Sequence, residues 1–287
     1  MHPGIAFMRL IAPLPLPVIR ALGWCLGQLL YRLARSRRRV TLINLGLCFP
    51  QWSAAQREHC ARRHFVVFCQ AWLDRSWLWH GQEATVRQRL QLEGSIHSLR
   101  AAQPQVLFAP HFVGLDAGWA ALNLHFDRPF ATIYMRQYKP ALDAWLESGR
   151  QRFGAPMQFP RTEGVRQIAR ALGDGAALYL LPDLDYGPLV SEFVPYFGVP
   201  TATTTSLSRF ARVARASVQT VTTRLTPQGY TVSVSEAWPD FPTADSIADT
   251  ARMNRLLEGL ICDNVTQYLW THRRFKTRPE GQASVYA

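Results

Sequence analysis

Apolar positions crowd the first part of the chain and then settle into alternating short runs and helical stripes. From Ile5 to Ala34 the main polar interruptions are Arg9, Arg20, Gln28 and Arg32, and Pro13, Pro15 and Pro17 break the first half. Proline lacks the N–H that a helical ladder needs, so the pattern predicts a helix only over Val18 to Leu33, with Ile19, Leu22, Leu26, Leu29, Leu30 and Leu33 as its apolar residues. A bilayer crossing takes about 20 uninterrupted apolar residues, which this segment does not supply. Arg35, Arg37, Arg38 and Arg39 follow at once, and an apolar helix ending in a basic cluster predicts attachment to an anionic membrane surface. No small-residue cleavage site marks a removable signal peptide.

From Ser53 to Leu99 the period is helical, and Phe65, Phe68, Cys69, Trp72, Leu73, Trp77 and Leu78 are too aromatic for an ordinary surface, so they are expected in the core. Strands and helices then alternate. Val106–Ala109, Phe130–Tyr134, Ala176–Leu181, Val218–Leu225 and Tyr230–Ser235 are predicted strands. Gly114–Leu124, Ala141–Phe153, Val165–Leu172, Thr203–Ala214 and Ile247–Trp270 are predicted helices. The order predicts an α/β fold, a mixed central sheet flanked by helices, with the last two strands an antiparallel pair turned at Pro227-Gln228-Gly229. Residues 1–39 are expected to form a membrane-associating helical segment and residues 40–287 a single α/β domain.

Composition narrows the partners. With 287 residues, 48% of them hydrophobic, the chain can bury a large core, and its formal net charge of +12 should attract something anionic: nucleic acid, phospholipid headgroups, a phosphorylated substrate or an acidic carrier protein. Lys139 and Lys276 are the only lysines, so the charge is carried by arginine, whose planar fork suits phosphate. No recognition-helix, zinc or RNA-binding signature accompanies it, which argues against nucleic acid. Cys25, Cys48, Cys60, Cys69 and Cys262 show no CxxC pair and no metal-ligand spacing, so they are expected to be packed thiols in a reducing compartment.

The candidate chemistry begins at His111, in Ala109-Pro110-His111-Phe112-Val113-Gly114-Leu115-Asp116 just past the predicted strand Val106–Ala109. That is a strand's carboxyl end, where open α/β sheets place their ligands. An imidazole can take the proton of an attacking hydroxyl when a carboxylate accepts its other ring N–H and fixes the tautomer. Asp116 is a candidate for that carboxylate, although a histidine merely hydrogen-bonded in a turn would show the same spacing. Three further blocks stand out: Gly149-Arg150-Gln151-Arg152-Phe153-Gly154; Leu181-Pro182-Asp183-Leu184-Asp185-Tyr186-Gly187-Pro188, running on through Phe193–Val199 to Ala202–Thr205; and Gln267–Pro279 with His272, Arg273, Arg274, Lys276 and Arg278.

With these blocks the sequence resembles the late acyltransferases of lipid A biosynthesis, the lauroyl and myristoyl transferases, within the lysophospholipid acyltransferase superfamily. The resemblance runs from about Arg20 to Pro279 and includes Asn44-Leu45-Gly46-Leu47-Cys48-Phe49-Pro50. It implies that His111 and Asp116 are the catalytic pair, His111 the general base and Asp116 its orienting carboxylate. Arg150 and Asp183 match the arginine and aspartate of the second and third blocks, expected to bind substrate or stabilise the transition state. The alternative for Arg150 is a salt bridge to Asp183. The amino terminus departs from the family, whose members have a clearer transmembrane helix.

The implied reaction moves a fatty acyl chain from acyl carrier protein, as co-substrate, to a hydroxyl of a lipid A precursor at the cytoplasmic face of the inner membrane, with no cofactor and no metal. Asp185 with Tyr186 and Gly187 is expected to form a turn in which the aspartate bonds its own backbone. Arg273, Arg274, Lys276 and Arg278, with Trp270 and Phe275 between and beside them, are expected to form a surface patch for phosphorylated lipid or the acidic carrier, the alternative being a solvated basic tail. Other readings are an acyltransferase acting on a glycerophospholipid or glycolipid, and a metal-dependent phosphohydrolase built on His111, Asp116, Asp183 and Asp185.

Overall fold

Pro13, Pro15 and Pro17 divide the amino-terminal apolar stretch into two helices, α1 (Pro3–Ile11) and α2 (Leu16–Leu33). In the computed structural model, which describes residues 2–161 and 165–287, the chain turns at Ala34 and enters α3 (Arg35–Cys48) directly. The basic cluster is therefore helical, and α3 runs without a break through residues 39 and 40. Next comes α4 (Ala54–His80), opened by a capping box in which the Gln56 N–H donates to Ser53 Oγ at 3.2 Å and the Ser53 N–H donates to Gln56 Oε1 at 2.8 Å.

The α2 helix lies hard against α4 because it presents Gly23 and Gly27 there. A Cβ built on Gly23 would stand 2.7 Å from the Gln70 Cα, and one on Gly27 would stand 2.5 Å from the Val66 Cα. Nothing larger than hydrogen fits between two backbones at that separation. The contact is pinned by a buried polar group: Asp74 on α4 accepts from Arg20 on α2 at 2.8 Å, from Trp77 Nε1 at 3.0 Å and from the Tyr230 hydroxyl at 2.7 Å. Gly27→Val is expected to lower stability by about 1–3 kcal/mol or more through overpacking, read as a drop in melting temperature. An unchanged melting temperature would contradict this close approach.

The inner face of α2 buries Leu16, Ile19 and Tyr31, while Val18, Leu22, Leu29 and Leu33 stay exposed on the outside, as do Phe7 and Leu10 on α1. Apolar residues on both faces of a surface helix leave a sizeable unpartnered patch. Among the described residues no helix is long and apolar enough to cross a membrane.

After α4 follow α5 (Glu83–Arg89), β1 (Leu90–Gly94), β2 (Gln105–Phe108), α6 (Leu115–His125), β3 (Phe130–Tyr134), α7 (Pro140–Arg150) and β4 (Met157–Pro160). The chain continues through α8 (Val165–Gly173), β5 (Ala177–Leu180), β6 (Ser191–Tyr196), β7 (Val199–Thr204), α9 (Ser206–Ala214), β8 (Ser217–Thr226), β9 (Gly229–Val234) and α10 (Ser246–Asp263). Seven strands form one sheet in the order β1-β9-β8-β2-β5-β3-β4. Its neighbours are parallel except for the antiparallel pair β8 and β9. The mixed sheet flanked by helices is thus as expected, including the final antiparallel pair. β2 and β5 are buried along their whole length, which is why they read as unbroken apolar runs rather than alternating ones.

Several boundaries differ from the sequence expectation. Leu90–Gly94 is an edge strand, not the end of a helical stretch, and pairs in parallel with β9. β6 and β7 form a separate antiparallel hairpin. The last helix stops at Asp263, where Asn264 leaves helical geometry at φ −140°, and the segment beyond turns back toward the sheet.

Candidate active site

Two neighbouring strands of the sheet end in the same way. β2 runs out through Ala109-Pro110-His111 and β5 through Leu181-Pro182-Asp183. The two are parallel with Phe108 opposite Leu180, so each reaches its third following residue at the same level, past a proline that cannot extend the ladder. The Ala109 N–H still bonds the Leu180 carbonyl at 2.9 Å, holding that register to the end of the strands. Register then brings His111 and Asp183 together although they lie far apart in the chain.

The contact is bidentate. His111 Nδ1 lies 2.7 Å from Asp183 Oδ1, and the His111 backbone N–H donates to Oδ2 at 2.9 Å. Tyr268 donates its hydroxyl to the same Oδ2 at 3.1 Å. Asp183 is fully buried, and burial pushes its carboxyl up, but the charge of His111 and the two hydrogen bonds from that residue outweigh this and hold it below the usual carboxylate value. An ionised carboxylate on Nδ1 fixes the tautomer that carries hydrogen there and leaves the Nε2 lone pair for a substrate. The His111 side chain is 14% exposed, so it is positioned but not sealed off.

Asp116 does not orient His111, contrary to the sequence expectation. It sits in the first turn of α6, a favourable place for an anion, and its carboxylate faces two arginines. Arg75 of α4 approaches Oδ2 at 2.6 Å, and Arg150, the last residue of α7, reaches Oδ1 through Nε at 2.8 Å. Burial raises the Asp116 carboxyl, and the Arg150 and Arg75 charges overcome that and hold it far below the usual range. Helix geometry explains the outcome: five residues carry the chain out of the loop and into α6, and the carboxylate turns toward α4 and α7.

Arg150 likewise pairs with Asp116 and not with Asp183. Its backbone carbonyl accepts from Trp119 Nε1 at 2.9 Å, and Gly149 lies so close to Trp79 that a Cβ there would fall 2.3 Å from the indole. Arg75 is held with its guanidinium carbon 4.4 Å from the Trp72 ring centre. The result is a held pair of cations around one carboxylate, with Arg150 beside a crevice of about 10 Å³ that Tyr134, Asp143, Glu147 and Gln158 also line.

Asp185 belongs to a third network. Its Oδ1 accepts from the Gly187 N–H at 2.9 Å, the expected turn, and its two oxygens also accept from the Thr277 hydroxyl at 2.8 Å and N–H at 2.7 Å. The Asp185 N–H points to His272 Nε2 at 3.4 Å. Burial, with the charges of His111 and Arg274, lowers His272 to about 4, so it is neutral at physiological pH and can accept that bond. The four residues of the phosphohydrolase alternative are therefore divided among separate networks.

The carboxyl-terminal segment closes the site rather than forming an exposed patch. Phe112 and Tyr268 form an antiparallel bridge, with Val113 N–H bonded to the Gln267 carbonyl at 2.9 Å and Leu269 N–H to the His111 carbonyl at 3.0 Å. Trp270 and Phe275 are core residues. Arg274 is only 3% exposed, donating to the Ala202 carbonyl at 2.7 Å and to Thr203 Oγ1 at 2.6 Å beneath the Tyr196 ring, so it is withdrawn from any surface contact. Arg278 is half-buried and holds the Pro200 carbonyl at 3.1 Å. Arg273 and Lys276 remain exposed. Tyr268 and Arg75 had not been expected at the site; Arg75 could have been suspected as a lone arginine in an aromatic helical stretch.

The family model of the bacterial lipid A biosynthesis acyltransferases matches residues 2–277. The chain is 32% identical over 292 residues to the lipid A biosynthesis palmitoleoyltransferase of Escherichia coli, covering 99% of this chain and 93% of the relative. It is 32% identical over 291 residues to the lauroyltransferase of the same organism, with 99% and 93% covered, and 31% identical over 297 residues to its myristoyltransferase, with 99% and 88% covered.

Proposed function

Because this chain belongs to the family of bacterial lipid A biosynthesis acyltransferases, and so is an acyltransferase of lipid A biosynthesis, we propose that it transfers a fatty acyl chain from acyl carrier protein to a hydroxyl of a lipid A precursor, with His111 as general base and Asp183 as its partner. The observation that carries the assignment of the base is the bidentate His111–Asp183 contact at 2.7 and 2.9 Å. With Asp183 on Nδ1, Nε2 is the ring nitrogen that takes the hydroxyl proton.

The step needs no covalent intermediate. The acceptor oxygen attacks the thioester carbonyl carbon as Nε2 takes its proton, and the tetrahedral species collapses with loss of the thiolate, which recovers that proton from the imidazolium. The products are an ester and a thiol. Asp183 remains ionised throughout and stabilises the imidazolium. Arg150, held by Asp116 and partly exposed, is the cation assigned to the substrate, meeting negative charge on the thioester oxygen or on a substrate phosphate. Loss in kcat alone on Arg150→Lys would identify the first role and a rise in KM alone the second.

The reaction is placed at the cytoplasmic face of the inner membrane, with the exposed apolar residues of α1 and α2 as the attachment surface, and requires no cofactor. Mass spectrometry of lipid A from cells with and without this protein tests the assignment: one acyl increment that disappears with the protein and with His111→Ala is expected. An unchanged lipid A accompanied by an altered glycerophospholipid or glycolipid would transfer the assignment to that acceptor.

A further inference from the structure

One charged feature lies outside the catalytic networks. Arg35, Arg38, Arg39, Leu42, Ile43 and Gly46 recur on a single face of α3, and with Arg57 of α4 they line an open surface cavity of about 420 Å³. The spacing of three and four residues makes the arginines neighbours along the helix. No carboxylate lines the cavity, and none of the ion pairs among the described residues involves any of the four arginines. Arg57 directs Nη2 at the Phe49 and Pro50 carbonyls, while its Nε is buried without a hydrogen-bond partner. Arg39 is engaged by the Ala287 carbonyl, and the Arg38 guanidinium stands 5.4 Å from the Tyr31 ring centre. By contrast Arg37 leaves this face and bonds the Thr271 carbonyl at 3.2 Å.

Such an arrangement works against the fold by itself. Like charges three and four residues apart repel, and cations in the first turn of α3, which holds no acidic residue, oppose the helix dipole. A cavity that gathers uncompensated guanidinium groups and an orphaned buried N–H is complementary to a phosphate oxyanion. Its Leu42 and Ile43 are partly buried and apolar, and the exposed apolar residues Leu29 and Leu33 close α2 immediately before Arg35. Apolar surface therefore leads directly into a cluster of phosphate ligands, the order in which a lipid presents its acyl chains and its headgroup.

We propose that Arg35, Arg38, Arg39 and Arg57 form a binding site for the phosphate headgroup of an anionic glycerophospholipid, with Leu42 and Ile43 against its glycerol end. This rests on the membrane attachment proposed above and names the contact that fixes it. Arg35 and Arg38 supply charge from α3, Arg57 closes the cavity from α4, and the apolar faces of α1 and α2 lie in the adjoining hydrocarbon.

The test is co-sedimentation of the full chain with phosphatidylcholine vesicles, with and without added phosphatidylglycerol. One basic residue near an anionic membrane contributes about a fivefold factor in partition, so Arg35→Gln/Arg38→Gln is expected to lose roughly 25-fold in binding to the phosphatidylglycerol vesicles and little on pure phosphatidylcholine. Arg209→Gln/Arg255→Gln removes the same charge from exposed positions on α9 and α10 and is expected to leave binding unchanged. Equal losses in the two double variants would overturn the site in favour of diffuse attraction. Unchanged vesicle binding by Arg35→Gln/Arg38→Gln, with loss of binding to purified acyl carrier protein, would assign the cavity to the carrier instead. Wild-type protein that sediments with neither vesicle would defeat the attachment reading itself, whereas vesicle binding that is indifferent to the arginines defeats only the cavity. A melting temperature at or above wild type is expected for Arg35→Gln/Arg38→Gln, which relieves the repulsion on α3, and one matching wild type for Arg209→Gln/Arg255→Gln.

Discussion

His111→Ala is expected to lower acyl transfer by roughly 10²- to 10⁴-fold while the circular dichroism spectrum stays that of wild type. The ring makes its one strong contact with Asp183 and retains some exposure, so its removal takes away the proposed base without opening the core. Asp183→Asn should reproduce most of that loss in kcat, because an amide cannot hold both the Nδ1–H and the backbone N–H as an ionised carboxylate does, and it supplies no charge to the imidazolium; the corresponding change in a serine protease triad costs about 10⁴. The double variant should be little worse than either single one, since residues that act as a unit lose their function only once. Near-normal turnover by Asp183→Asn would sink the pairing on which the mechanism stands.

Asp116→Asn is expected to act on stability first. Removing one member of a buried ion network leaves the others uncompensated, at about 3–5 kcal/mol, and here Arg75 and Arg150 would both lose their counter-ion. Turnover should fall as well, through the misplacement of Arg150 rather than the loss of a base. The pH dependence carries a definite sign. Asp116 is held far below its ordinary value, so its contribution is complete above the unfolded pKa near ~3.9 and disappears as pH falls through the lower folded value. Wild type and Asp116→Asn should therefore differ most in urea midpoint at neutral pH and converge in strong acid. A difference that grew as the solution was acidified would contradict the ion network.

Much of the sheet could be read from the chain because β2 and β5 are short, mainly apolar runs and β3, β8 and β9 carry the β-branched residues that separate strands from helices. The edge strand β1 was absorbed into a helical stretch since only Leu90 in Leu-Gln-Leu-Glu-Gly is buried, giving neither a continuous apolar run nor a full alternation. The hairpin β6–β7 escaped because it packs outside the main sheet, under α10, where Asn254 Nδ2 holds the Pro195 carbonyl at 2.9 Å. At the site, the sequence expectation set Asp116 beside His111, whereas the carboxylate on its ring is that of Asp183, and Asp116 holds Arg75 and Arg150. Sequence proximity favoured Asp116, five positions from His111, whereas a parallel sheet joins residues by register. The sign of the true partner was present in the paired endings Ala-Pro-His and Leu-Pro-Asp, each leaving a short apolar strand at the same distance. Only the strand order shows that those two strands are neighbours.

The bridge between Phe112 and Tyr268 bears on how the protein is made. The loop holding His111 is clasped by backbone bonds from Gln267 and Leu269 and by the Tyr268 hydroxyl on Asp183, so the clasp leaves the ribosome well after β2 and β5. A nascent chain that has already formed β2 and β5 still lacks it, and its His111 loop stays unclasped until residues 267–269 have been made.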